Sequence, residues 1–151
     1  MTIILARVLH VLGILWWIGG VLMVTATILP ALKHSGLPET ERQQAFKQIR
    51  RRFAWQARAA VLLVGASGLY MLVYLGGLSR LALPSSWWID LMLVTWTIFA
   101  LILFVLEPLG VMQKTGIMRR PRAFLLMHVF LTGISLVTVA ASVLGAHGAF
   151  Y

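Results

Sequence analysis

Four long apolar stretches, separated by short polar ones, organise the chain. Between Arg7 and Lys33 run 25 residues without formal charge, and between Arg58 and Arg80 run 21. Asp90 and Glu107 bracket 16 more, and from Ala123 to Tyr151 there are 29. About 20 apolar residues carry a helix across the hydrocarbon layer of a bilayer. Lipid offers no partner to a free backbone N–H or C=O, so spans of this kind are helices. The pattern predicts helices near residues 2–31, 53–77, 86–112 and 123–148. The expected fold class is all-α, an integral membrane up-and-down four-helix bundle, with residues 1–151 forming a single transmembrane domain. The first stretch is too long for a signal peptide, carries Arg7 and His10, and ends in no clean small-residue cleavage pattern.

Composition sharpens this picture. Hydrophobic residues make up 60% of the chain and charged ones 11%, against about 25% charged in soluble domains. That excludes a soluble enzyme, and it excludes disorder, which goes with few hydrophobics. The chain has no cysteine, so disulfides, thiolate metal sites and a cysteine nucleophile are excluded.

The net charge of +9 is placed unevenly. Lys33, Arg42, Lys47 and Arg50, Arg51, Arg52 lie between the first two spans. Lys114, Arg119, Arg120 and Arg122 lie between the last two, and Arg58 stands just inside the second. Eleven of the 13 basic residues thus fall on one side, and only Arg7 and Arg80 on the other. The positive-inside rule places both long loops in the cytoplasm, with both termini and the loop Leu78–Ser85 in the periplasm. The charge then reports an anionic membrane surface, not nucleic acid. Pro38-Glu39-Thr40-Glu41 reads as a helix start, so part of the first loop is expected to be a short interfacial helix.

Ionisable groups at membrane depth are costly and mark function. His10, Gly13, Trp17, Gly20 and Val24 share one face of the first helix. The two glycines leave space beside it, either for a neighbouring helix or for a flat macrocycle with His10 as axial iron ligand. Arg7, one turn outward, is placed to hold a haem propionate. On the fourth helix His128, Thr132, Ser135, Val139, Ser142 and Ala146 fall within about 80° of one another, a spacing typical of tight packing. His128 and His147 are about 28 Å apart along that helix and cannot share an ion. His147 lies in the same outer half as His10 and is the second axial ligand to try first, then His128. His34 and His128 would form an inner level, although His34 sits in a loop. Asp90 would pair with Arg7 or Arg80, or orient a ligating histidine. Glu107 would pair with Arg58 or the basic loop, and Pro108 would kink or end the third helix. The methionines are dispersed and read as core filler.

The segment Ala6-Arg7-Val8-Leu9-His10-Val11-Leu12-Gly13-Ile14-Leu15-Trp16-Trp17-Ile18-Gly19-Gly20 resembles the start of the small four-helix membrane proteins grouped around copper-resistance protein D. It is similar too to the HemJ-type protoporphyrinogen oxidases of bacteria. Arg50-Arg51-Arg52-Phe53 and Trp87-Trp88-Ile89-Asp90 extend the likeness more weakly. The oxidase pattern carries a lysine where this chain has Asp90. The resemblance implies a haem-b-associated protein of the bacterial inner membrane with His10 on the iron. The expected function is cytochrome b-like electron transfer, with a quinone or a periplasmic protein as redox partner. The alternatives are a protoporphyrinogen oxidase-like membrane oxidoreductase, copper uptake or handling, and a subunit without cofactor. Association into a homo-oligomer is compatible with each.

Overall fold

The computed structural model describes residues 2–115 and 121–149. Its described residues form the expected all-α bundle, and no strand occurs among them. The long helices are α1 (Thr2–Lys33), α2 (Glu39–Tyr74), α3 (Pro84–Leu106) and α4 (Pro121–Ala146), each long and apolar enough to cross a membrane. Of the expected basic cluster between the third and fourth spans, Arg119 and Arg120 lie outside the described residues.

The first loop is not a loop with a separate interfacial helix. Pro38 is extended, and α2 starts at Glu39 and runs unbroken for 36 residues. Glu39 and Glu41 in the first turn complement the helix dipole. No glycine or proline interrupts the run from Thr40 to Phe53, which is rich in Gln and Arg, good helix formers. At 1.5 Å per residue α2 is about 54 Å long, against about 30 Å of hydrocarbon. Its first turns therefore extend past the layer. Gly76, at φ +65, ends it by taking the left-handed conformation that a Cβ would strain.

Two of the helices change register near the basic side. Residues Val24–Ile28 of α1 and Ile102–Leu106 of α3 are π-helical. Leu29 N–H donates to the Val24 carbonyl and Glu107 N–H to the Ile102 carbonyl, each five residues back. The next residue in each case is a proline, Pro30 or Pro108, which has no N–H to give. The carbonyls of Thr25 and Leu103 are thereby left without a helical donor. Pro108 thus shifts the register ahead of it, and the π segment closes α3.

The helices are arranged in a ring. α1 packs most extensively on α2 and α3 on α4, and contacts of α1 with α4 and of α2 with α3 close it. Trp17, Ile18 and Val21 of α1 meet Ala57, Ala60, Val61 and Val64 of α2, with Phe99 and Leu103 of α3 and Leu131 of α4 completing the core. In lipid, apolar burial does not drive helices together, so close packing and interhelical hydrogen bonds must. Both are present. Thr132, a member of the polar stripe of α4, bonds Thr25 at 3.1 Å, and Thr138, beside that stripe, bonds Thr95 at 2.8 Å. Trp96 Nε1 donates to the Val61 carbonyl at 2.9 Å, its ring seated on Gly65, where a Cβ would meet it at 2.6 Å. Outward, large apolar side chains such as Trp55, Leu126 and Phe130 are more than 60% exposed, as a lipid-facing surface requires.

Candidate functional site

The half of the bundle away from the basic loops holds most of the residues singled out in the sequence, but it does not gather them. α1 and α2 run antiparallel, with His10 beside Gly68 and Gly13 beside Val64. His10 turns towards α2. Its Nδ1–H donates to the Val64 carbonyl at 3.0 Å and lies 3.1 Å from Ser67 Oγ. A carbonyl can only accept, so Nδ1 carries the proton, and a neutral ring would then have Nε2 as its acceptor. The space expected beside Gly13 is filled. A Cβ there would stand 2.8 Å from Val64 Cγ2, with Leu63 next to it. At the glycine a neighbouring helix packs close.

The other candidates of this half lie apart from His10. Arg7 is exposed and makes no ion pair among the described residues. Asp90 pairs with neither Arg7 nor Arg80. Its two carboxylate oxygens accept the Ala82 N–H at 3.3 and 3.2 Å, and Ala82 stands at φ +59. A left-handed alanine is strained, and this bond holds the turn in place. His147 is exposed and donates to Val143 of its own helix at 2.8 Å, so it is not turned towards His10. His34 is exposed as expected. Among the described residues no group of three or more His, Cys, Asp or Glu could hold a metal ion.

A cavity of about 80 Å³ opens instead in the basic half, between all four helices. Trp17 and Val21 line it from α1, and Arg50, Phe53, Ala54 and Ala57 from α2. Phe99 and Leu103 of α3 and Glu107 just past its end line it together with Phe124, Met127 and His128 of α4. Two sequence candidates, Trp17 and His128, therefore meet at one place. Trp17 is 4% exposed and held edge-on to Phe99 at 4.7 Å between ring centroids. His128 Nδ1–H donates to the Phe124 carbonyl at 3.1 Å, and its ring lies tilted against Phe124 at 4.2 Å.

Its charged edge is a shared carboxylate. Arg58 Nη2 donates to Glu107 Oε2 at 3.1 Å, and its Nε donates at 3.2 Å to the Leu103 carbonyl freed by the π segment. Arg50 Nη1 reaches Glu107 Oε1 at 3.4 Å. The expected Glu107–Arg58 pair is present, and Arg50 joins it. Two residues that line it, Trp17 and Arg50, each carry a buried donor, Nε1 and Nε, with no hydrogen-bond partner among the described residues. A buried unmade donor costs about 1–3 kcal/mol, so each such group calls for a physical explanation.

The fold and this cavity define a helical membrane protein with a donor-lined pocket in its basic half. Comparison with protein-family models, with curated proteins and with solved structures finds no match to the chain.

Proposed function

We propose that the protein binds a small amphiphile, a molecule with a hydrogen-bond-accepting head and an apolar tail, in the cavity of its basic half. The bilayer is the inner membrane, with the basic loops and this cavity on the cytoplasmic side. The observation that carries the reading is Trp17, a buried mid-helix residue lining a cavity, whose indole Nε1 has no partner among the described residues. Around it the walls are apolar, and a π segment, a feature that recurs at functional sites, lines the cavity from α3 through Ile102 and Leu103. The volume is that of two or three waters, at about 30 Å³ each. It suits a head and its first methylenes, with the tail directed to lipid. The test is photolabelling in nanodiscs with an alkyl alcohol carrying a diazirine near its hydroxyl. Labels concentrated on Val21, Phe124 and Met127 support the site. Labels spread evenly over lipid-facing positions such as Leu62 and Leu126 contradict it.

A second reading, haem b on His10 serving electron transfer, is favoured by one observation. The Val64 carbonyl fixes the Nδ1–H tautomer, as second-shell carbonyls do for ligating histidines. This reading requires α1 and α2 to part at Gly13. It predicts a Soret band in purified protein that His10→Ala abolishes; a colourless protein after growth with haem supplied contradicts it.

A further inference from the structure

The cavity edge carries more positive charge than its carboxylate answers. Glu107 is the one acidic residue lining the cavity among the described residues, and two guanidinium groups share it. The sharing is unequal. Arg58 has a 3.1 Å bond to Glu107 and a second bond to the Leu103 carbonyl. Arg50 reaches Glu107 at 3.4 Å, long for a charge-assisted hydrogen bond, which is about 2.7–2.9 Å. Its Nε is buried without a partner among the described residues. Two guanidinium groups on one carboxylate leave one positive charge unanswered at this edge, and Arg50 is the more loosely held of the two. His128 adds no negative charge in either of its forms.

A cation in a largely apolar wall calls for a counter-charge. The unpartnered Trp17 indole in the same wall calls for an acceptor. A neutral carbonyl or hydroxyl would answer the indole and leave the surplus charge uncompensated; an oxyanion has the lone pairs and the charge to answer both. Resting on the cavity being a binding site, we infer that its ligand is anionic: an amphiphile whose head is a carboxylate or a phosphate ester, engaged by Arg50 and Trp17. The same head chemistry is offered by a free fatty carboxylate and by an anionic phospholipid of the inner leaflet.

The experiment compares decanoate with decanol, which share a chain length and differ in the head. Both are titrated into protein in neutral phosphatidylcholine nanodiscs at matched bilayer mole fraction, with the rise in melting temperature as readout. Decanoate is expected to bind about tenfold more tightly than decanol or better, the scale of one charge-assisted bond. Arg50→Gln is expected to bring the two to parity. Glu107→Gln, which removes the competing carboxylate, is expected to widen the gap. Circular dichroism and size exclusion establish that each variant is folded, and the two opposed shifts mean that one folded variant suffices. Phosphatidylglycerol in the disc then separates the sources: competition with decanoate identifies a phospholipid head, and its failure a free carboxylate. Decanol binding as tightly as decanoate in the wild type overturns the anionic head while leaving the cavity as a binding site. Binding of neither overturns both.

Discussion

Glu107 is the residue on which the charged edge depends. It faces two arginines with side chains 27% and 28% exposed and is itself 18% exposed. Removing one partner from a fully buried pair costs 3–5 kcal/mol. Partial exposure lowers that here, so Glu107→Gln should destabilise by about 2 kcal/mol, read as a lower melting temperature in detergent. Trp17→Phe should behave differently. It gives up ring volume in the core, but it also removes a buried unmade donor worth about 1–3 kcal/mol, and the two offset. The ligand-free protein should melt within a few degrees of wild type while its response to decanoate falls; an unchanged response would remove Trp17 from the site. The sequence showed part of this. Trp17 was placed on the His10 face of the first helix, and Glu107 was expected to pair with Arg58 or the basic loop. Arg50 did not stand out, because in sequence it is one of three consecutive arginines and reads as loop charge. Only the continuation of α2 back to Glu39 sets it on a helical face with Ala54, Ala57 and Arg58. Asp90 was misjudged for a related reason: its partner is a backbone N–H in a left-handed turn, which has no side-chain signature.

Among the elements, α1 and α3 share a device that the sequence contains but does not announce. A proline deep in a membrane helix reads first as a kink. Here Pro30 and Pro108 each follow a π segment by one residue, and at Leu103 the freed carbonyl is taken by Arg58. Pro108→Ala restores an N–H at that position. It should let α3 return to α-helical register, turning Leu103 and Glu107 relative to the cavity. The expected result is a protein at least as stable as wild type with weaker amphiphile binding; binding at wild-type strength would show that the π segment does not shape the site. Helix pairing depends on glycine notches, and Gly65 is the sharpest. Alanine there gains up to about 1 kcal/mol of helix propensity. It also drives a methyl into a Trp96 ring that its hydrogen bond to Val61 holds in place. Overpacking of this kind costs about 1–3 kcal/mol, so Gly65→Ala should lower the melting temperature. A rise would show that the ring yields. The notches at Gly13, Gly65 and Gly68 could not be paired with Val64, Trp96 and His10 from one sequence, since the register of α2 against its neighbours was not known.

At the scale of the whole molecule, the number of helices, their class and their order followed from the spacing of charges, because a bilayer demands apolar length. The arrangement of polar residues inside did not follow, because it is set by which face each helix turns inward. His10 is directed at α2 rather than across the bundle towards α4 for this reason. Orientation rests on the eleven basic residues of one side. A reporter fused after Tyr151 should read periplasmic and one inserted at Pro38 cytoplasmic; the reverse would place the cavity in the outer half of the membrane. The most direct measurement of the central claim is native mass spectrometry of the detergent-solubilised protein with added decanoate. The account predicts one retained decanoate per chain in the wild type, lost in the folded Trp17→Phe, Arg50→Gln double variant. A single decanoate held equally well by the double variant, or a featureless series of adducts in both, would contradict it.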